Sequence, residues 1–159
     1  MNKDKSIHVV FSNRTDEWQT PDEIYSYLER TYGIPKNKWY DPCPLYHKDL
    51  GIDGLKENWL DKEYIYINPP YSNIIDFVKK AIDSHRKFGG KNKEIIFLIP
   101  ARTDTKYYEL LFKYGCEFTF IIGRLKFGNS KHSSTFPSVL VRLNGFGNKI
   151  DYIKKGELK

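Results

Sequence analysis

The most chemically distinctive stretch is Asn68-Pro69-Pro70-Tyr71, which directly follows the apolar residues 65–67. Each proline lacks an N–H and fixes its own φ near about −65°, so a strand through this run has to end at Asn68. Strand ends are where open α/β sheets place their ligands.

If the Asn68 side-chain oxygen and the Pro69 carbonyl accept the two N–H bonds of an amino group on a planar base, the nitrogen lone pair can point at an electrophilic methyl group. Tyr71 would then stack on the base. An Asn-Pro turn that ends a strand and packs a tyrosine is the plain alternative.

A similar strand end occurs at Asp41-Pro42-Cys43, where prolines again stop a short aromatic run. If the two strands are neighbours in a parallel sheet, the Asp41 carboxylate and the Asn68 amide lie side by side. Asp41 could then accept a hydrogen bond from a cationic amine or a ribose hydroxyl, although an Asp-Pro turn explains the same residues. Cys43 has no evident histidine partner, which favours a small buried residue over a nucleophile.

Helical periodicity and stop signals predict the elements that position these strand ends. Thr20 as N-cap, Pro21 at the first helical position and Glu23 in a capping box predict a helix start. The N–H groups of that helix start could also bind an anionic group such as a carboxylate. This helix should end at Gly33. Downstream, the patterns predict a helix from Ser72 to Gly89, a buried strand over 94–99, a helix that ends at Gly115, strands over 117–122 and 137–143, and an edge strand over 150–153.

Three loops hold further candidates. Loop 45–62 contains Asp53 and Trp59, which either bind an adenosine group or serve as a turn residue and a core ring. Arg102 follows the strand over 94–99, and is either a phosphate or cofactor contact or a plain surface arginine. Loop 123–136 interleaves basic and aromatic side chains, a pattern that suits the backbone and bases of a nucleic acid, with a solvated loop as the alternative. Its candidate contacts are Arg124, Lys126, Phe127 and Lys131.

Length and composition narrow the class of protein. The 159 residues suit a single domain, with residues 1–13 as a mobile arm and residues 144–159 as a basic tail. Twenty-six Lys and Arg against twenty Asp and Glu give a net charge of +6, a bias towards a polyanionic partner. Two cysteines and no apolar amino-terminal segment predict a cytoplasmic protein. No apolar run approaches the roughly 20 residues of a membrane span, and no histidine has metal-ligand spacing, so we expect neither membrane contact nor a metal.

Seven short motifs, taken in order, resemble those of the phage-type DNA N-6-adenine methyltransferases. They are Glu17-Trp18-Gln19-Thr20-Pro21, Asp41-Pro42-Cys43, Asp53-Gly54-Leu55 with Trp59, Asn68-Pro69-Pro70-Tyr71-Ser72, Pro100-Ala101-Arg102-Thr103-Asp104-Thr105, Gly123-Arg124-Leu125-Lys126-Phe127 and Phe136-Pro137-Ser138. The resemblance implies an α/β fold of the class I, Rossmann-like methyltransferase type. We expect a mostly parallel sheet, reduced in strand number, with a C-terminal antiparallel hairpin. The resemblance further implies S-adenosylmethionine as methyl donor and methylation of the exocyclic N6 amino group of adenine in DNA.

The resemblance also implies roles for individual residues. Asn68, Pro69, Pro70 and Tyr71 form the catalytic motif. The expected cofactor-binding residues are Trp18, Thr20, Pro21, Asp41, Pro42, Cys43 and Asp53. The expected DNA contacts are Arg102, Arg124, Lys126, Phe127 and Lys131.

The chain departs from larger methyltransferases of this class in two ways. It lacks their glycine-rich loop after the first strand and two βα units before the catalytic strand, so the adenosine end of the cofactor site is undefined. It also lacks a separate target-recognition domain, so its specificity for a DNA sequence is low or comes from a dimer or from loop 123–136. We expect a monomer or a weak homodimer. Two other interpretations stay open: the same fold acting on RNA or on a glutamine side-chain amide, and a non-catalytic DNA-binding module.

Overall fold

The computed structural model describes residues 18–89 and 91–159, so the expected mobile arm over residues 1–13 lies outside the described part. The helices are α1 (Asp22–Tyr32), α2 (Ile74–Phe88) and α3 (Lys106–Tyr114). The strands are β1 (Tyr64–Ile67), β2 (Glu94–Pro100), β3 (Cys116–Ile122), β4 (Ser138–Leu143) and β5 (Lys149–Lys154). The expected α/β class is therefore confirmed, and each predicted helix and strand after residue 70 lies within a few residues of its expected position.

The five strands form one mixed sheet in the order β1-β2-β4-β3-β5. β1 runs parallel to β2, and β3 runs parallel to β5, whereas β4 is antiparallel to both β2 and β3. The expectation of a mostly parallel sheet was wrong, because β4 inserts between β2 and β3 and creates two antiparallel pairings at once. The expected antiparallel hairpin is present as β3 and β4.

The strand expected before Asp41 is reduced to a single parallel bridge between Tyr40 and Ile65. The Tyr40 N–H donates to the Tyr64 carbonyl at 2.8 Å, and the Tyr66 N–H donates to the Tyr40 carbonyl at 3.0 Å. Pro42 then interrupts the pairing, since it has no N–H to donate. This short bridge is enough to place Asp41 beside the end of β1, as the sequence predicted.

Side chains alternate across the sheet and build one core on each face. Ile65 and Ile67 of β1 belong to the cluster that α2 and α3 cover, and Tyr66 belongs to the cluster beneath α1. α1 contributes Ile24 and Leu28, which are fully buried and four residues apart, as expected for one face of a helix. The molecule therefore has three layers, with the sheet between α1 and the α2–α3 pair.

The start of α1 differs from the prediction. The helix begins at Asp22, Pro21 takes the N-cap position with extended backbone, and no side chain caps it. Thr20 does not act as the cap, because its hydroxyl contacts Tyr66 and Asn68 instead. At α2, a turn of 3-10 helix over Tyr71–Asn73 precedes the first helical residue Ile74, so Ser72 is not its N-cap either.

The C-terminal segment is part of the fold and not a loose basic tail. β5 pairs with β3, and Leu158 is fully buried in the cluster beneath α1. The Arg30 guanidinium of α1 donates to the carbonyls of Glu157 at 2.7 Å and Lys159 at 2.8 Å. Across the described residues, none of the helices has the length and apolar character needed to cross a membrane.

Candidate active site

Three chain segments meet at the edge of the sheet where β1 ends. β1 and β2 are parallel, so Asn68 and the residues after Pro100 leave the sheet at the same edge. Ser138, at the start of β4, pairs with both Pro100 and Ile121. The loop between β3 and β4 therefore returns to this edge as well. The motif of residues 68–71, the segment that contains Arg102 and the basic loop thus share one rim of the molecule.

The side-chain amide of Asn68 is held by hydrogen bonds from its nitrogen, whereas its oxygen has no hydrogen bond to the described residues. Asn68 is 6% exposed, and its Nδ2 donates to the Trp18 carbonyl and, at 3.3 Å, to Thr20 Oγ1. Its Oδ1 is buried and has no hydrogen-bond partner among the described residues. Buried side-chain oxygens nearly always have a partner, and an acceptor left open at a strand end suits a donor on a ligand.

A cavity of about 150 Å³ connects this amide with the second strand end. Five residues that the sequence singled out line it: Trp18, Thr20, Asp41, Cys43 and Asn68. Tyr25, Lys36, Gln19, Pro44 and Leu45 complete its wall. Of the predicted cofactor residues, Pro21 and Pro42 are not part of this lining, and Asp53 lies elsewhere.

Asp41 supplies the cavity with a carboxylate that has no described counter-ion. Its Oδ1 accepts the Cys43 N–H at 2.8 Å, while burial raises the pKa of Asp41 to about 6 despite this hydrogen bond. Lys36 lines the same cavity, but its ammonium pairs with Asp22 at 2.7 Å. At neutral pH the cavity therefore holds a negative charge suited to a cationic amine.

Cys43 is a buried structural residue in this arrangement. Its side chain is 9% exposed, and burial together with the nearby Asp41 carboxylate raises the pKa of the thiol far above its usual value. A thiol that stays protonated is a poor nucleophile and a poor metal ligand. Within residues 18–89 and 91–159, no group of three or more His, Cys, Asp and Glu side chains could hold a metal ion.

Asp53 lines a second cavity, of about 330 Å³, together with Pro70 and Ser72. One carboxylate oxygen accepts the Leu55 N–H at 3.2 Å, and the other pairs with Lys56 at 3.2 Å, which lowers the pKa of Asp53. The carboxylate is exposed and charged, so it can accept hydrogen bonds from a ligand hydroxyl. The second cavity therefore borders residues 68–71 from the side of the loop that precedes β1.

Gly54 joins the loops that carry Asp41 and Asp53. A Cβ at Gly54 would lie 2.1 Å from the Pro42 carbonyl oxygen, a separation that no side chain tolerates. The Trp59 indole N–H donates to the Gly54 carbonyl at 2.9 Å and fixes the loop from the other side. Trp59, which the sequence left as either a ligand contact or a core ring, is 1% exposed and is a core ring.

Four aromatic rings, one of them Tyr71, form a cluster at the end of β1. Tyr71 stacks on Trp18 with ring centroids 5.6 Å apart and an interplanar angle of 20°. Phe136 packs edge-on against Tyr71 at 5.0 Å, and Phe127 packs edge-on against Trp18 at 5.5 Å. Phe127, expected to contact nucleic acid, is only 5% exposed, because its apolar ring is used to build this cluster. Its ring is not available at the surface for stacking on a base.

The expected basic contacts lie on the surface around this edge. Arg102, Arg124, Lys126 and Lys131 are all exposed, and no described carboxylate forms an ion pair with any of them. The basic loop is also tied to the segment before α1, because the Gly128 N–H donates to the Gln19 carbonyl at 3.1 Å.

Sequence reasoning missed Tyr66, which is fully buried two residues before Asn68. Its hydroxyl lies 3.1 Å from Thr20 Oγ1, the same atom that the Asn68 amide contacts. The available signal was the period of two along a strand, which puts residues 66 and 68 on one face.

A family model and known relatives match this chain. A family model described as "DNA N-6-adenine-methyltransferase (Dam)" matches residues 9–138. A DNA N-6-adenine-methyltransferase of Escherichia phage T1 is 32% identical over 98 residues, which cover 58% of this chain and 39% of the phage protein. A DNA N-6-adenine-methyltransferase of Haemophilus phage HP1 (strain HP1c1) is 28% identical over 123 residues, which cover 73% of this chain and 68% of that protein. The chain thus spans about two fifths of the T1 relative and about two thirds of the HP1 relative. Because the family model covers well over half of the sequence, the chain belongs to the DNA N-6-adenine-methyltransferase (Dam) family, which confirms the resemblance found in its motifs.

Proposed function

We propose that this chain transfers a methyl group from S-adenosylmethionine to the N6 amino group of adenine in DNA, on a reduced class I, Rossmann-like methyltransferase fold. The observation that carries the proposal is the buried Asn68 Oδ1 at the carboxyl end of β1, which has no hydrogen-bond partner among the described residues. An amino group on a base is the complementary donor. Family membership supports the choice of adenine in DNA over RNA or a glutamine amide, and it argues against a non-catalytic module.

Asn68 and Pro69 would bind the target amine. Asn68 Oδ1 and the Pro69 carbonyl accept one N–H each, which draws the nitrogen towards tetrahedral geometry and frees its lone pair for the methyl group. Because both acceptors are held by the protein before the substrate arrives, their orientation costs little at the moment of reaction. After transfer the nitrogen carries a positive charge and releases a proton to water, so no side chain has to remove that proton first.

The residues of the two cavities fit the proposed cofactor. S-adenosylmethionine, when bound, would supply an electrophilic methyl group on a sulfonium centre, whose sulfur keeps the electron pair of the broken C–S bond and leaves as a neutral thioether. The Asp41 carboxylate would bind an ammonium group in the cavity of about 150 Å³, and Asp53 would accept from ribose hydroxyls in the cavity of about 330 Å³. Thr20 and the N–H groups at the start of α1 would face a carboxylate.

Tyr71 and the basic loop would bind the DNA. Tyr71 provides a ring for the extruded base, which offsets the few kcal/mol that leaving the duplex costs. Arg102, Arg124, Lys126 and Lys131 would contact phosphates from the surrounding rim, and such contacts hold the duplex without reading its sequence. We place the enzyme in the cytoplasm, where its proposed substrate lies.

Incubation of the protein with methyl-labelled S-adenosylmethionine and adenine-containing duplexes tests the proposal. We expect label on adenine N6. Asn68→Ala should lower the rate by at least about 100-fold, the scale for removing one preorganised hydrogen-bond group, while the thermal transition stays cooperative. Asn37→Ala, an exposed asparagine in the turn after α1, is the matched control and should retain the wild-type rate.

Parallel reactions with RNA and with a glutamine-containing peptide separate the other substrates. If RNA or the peptide is labelled and DNA is not, the labelled acceptor is the substrate in place of DNA. Folded protein that binds S-adenosylmethionine but labels no acceptor would overturn the enzymatic proposal.

A further inference from the structure

The Asn68 amide works only in one orientation. Its oxygen accepts hydrogen bonds, whereas its nitrogen donates them. A half-turn of the amide would direct N–H groups at the N–H groups of the substrate amine, and the two would repel each other. The proposed reaction therefore needs some part of the protein to hold Oδ1, and not Nδ2, towards the substrate.

The segment before α1 determines this orientation. Nδ2 donates both to the Trp18 carbonyl and to Thr20 Oγ1, so the nitrogen end of the amide is satisfied. Oδ1 has no partner in the described chain. The reverse orientation would place Oδ1 against the Trp18 carbonyl, two acceptors in contact. The Thr20 hydroxyl can donate or accept a hydrogen bond, so another group has to fix the orientation of its O–H.

Two tyrosines, Tyr25 and Tyr66, interact with the Thr20 side chain, and we take Tyr66 as the one that sets its orientation. It precedes Asn68 by two residues on the same face of β1, and its hydroxyl lies 3.1 Å from Thr20 Oγ1. The ring is fully buried and packs against Tyr25 with centroids 5.2 Å apart, so it has no freedom to turn away. Burial raises the pKa of Tyr66 well above its usual value, so the hydroxyl keeps its proton and remains a donor.

We propose that Tyr66 is a positioning residue, which acts through Thr20 to hold the Asn68 oxygen towards the target amine. This inference rests on the proposed methyl transfer and adds a residue to it. Because a hydroxyl oxygen has two lone pairs, Thr20 Oγ1 can accept from Tyr66 and Asn68 together. Tyr66 touches neither substrate nor cofactor in this arrangement.

Steady-state kinetics of Tyr66→Phe test the proposal. The variant keeps the buried ring and loses only the hydroxyl, and we expect kcat to fall about tenfold, the effect of one lost buried hydrogen bond. The KM for DNA and the Kd for S-adenosylmethionine should stay at wild-type values. Tyr64→Phe is the matched control: it lies on the same face of β1, but its ring packs against Trp39, and its kcat should not change.

Variants of Thr20 test the route of the effect. Thr20→Val should lower kcat more than Tyr66→Phe does, and Thr20→Ser should recover most of that loss because it retains the hydroxyl. In the Thr20→Val background, Tyr66→Phe should cause no further fall, since the connection is already broken. Additive losses would overturn the proposal.

A spectroscopic measurement separates this inference from the proposed function. The side-chain ¹H–¹⁵N signals of Asn68, identified by their loss in Asn68→Ala, should shift in Tyr66→Phe and stay in place in Tyr64→Phe. Unchanged Asn68 signals, or wild-type kcat in Tyr66→Phe, would overturn the positioning role even if methyl transfer is confirmed. A wild-type protein without transferase activity would instead overturn the proposed function.

Discussion

Asp41 is the residue where the proposed function and stability conflict most directly. Its carboxylate lies in a cavity with no described counter-ion, and burial raises its pKa from an ordinary 3.8 to about 6. A charge left without a partner in such a site destabilises the folded state. If the site binds a cation, the ligand supplies the positive charge that pairs with this carboxylate and offsets the loss of stability.

Replacing this carboxylate should therefore stabilise the protein at neutral pH. Between about pH 4 and 6 the folded state keeps a proton that the unfolded chain has released, so stability falls as pH rises through this window. The penalty is complete above about pH 6 and amounts to at most about 3 kcal/mol. Asp41→Asn should show no such fall in urea unfolding between pH 4 and 8, and should bind S-adenosylmethionine more weakly. Parallel pH curves for the two proteins would contradict the assignment.

At the scale of elements, the segment of residues 18–20 links the parts of the site. The Trp18 ring stacks on Tyr71, its carbonyl binds Asn68, and the Gln19 carbonyl accepts from Gly128 in the basic loop. The segment thus joins the end of β1 to the loop between β3 and β4. The Trp18 ring covers one face of Tyr71, and we expect the extruded base to use that face.

Base insertion onto that face requires the Trp18 and Tyr71 rings to separate. We expect the emission of Trp18, obtained as the difference between wild type and Trp18→Phe, to shift to longer wavelength when an adenine-containing duplex binds. The other tryptophans, Trp39 and Trp59, are buried and should not contribute to the difference. A duplex of guanine and cytosine alone is the control, since it offers no target. Identical spectra with both duplexes would mean that the base does not displace Trp18.

For the whole molecule, the net charge of +6 is important because of where the basic side chains lie. The strand order brings the loop between β3 and β4 to the edge where β1 ends, so its exposed basic side chains surround the proposed catalytic motif. Phosphate contacts from such a rim would position a duplex over the site and would make its binding depend on salt.

Replacing the basic side chains of loop 123–136 with neutral ones should weaken DNA binding and leave the cofactor site unchanged. For Arg124, Lys126 and Lys131 replaced together by Gln, the slope of log K against log salt should fall by up to about 2.7, if each contacts one phosphate. S-adenosylmethionine affinity should not change. Lys149→Gln is the control, because Lys149 pairs in register with Glu117 at the opposite edge of the sheet. An unchanged slope in the triple variant would place the DNA elsewhere.

Features that depend only on neighbouring residues could be predicted from the sequence alone. The prolines after Asn68 stop β1, helical spacing predicts α2 and α3, and Gly89 ends α2 with a left-handed backbone at φ 60°. Local sterics and periodicity produce these features whatever the rest of the chain does. For the same reason, the motif at the end of β1 is identifiable from its residues alone.

The contacts between distant residues could not be predicted in this way and are seen only in the folded structure. Thr20 leaves its expected capping role because its hydroxyl contacts Tyr66 and Asn68, which are 46 and 48 residues away. Phe127 is buried against Trp18 instead of facing nucleic acid, and β4 inserts between two strands and makes the sheet mixed. Such outcomes depend on which surfaces are brought together when the chain folds, and capping or strand signals within a few residues carry no information about them.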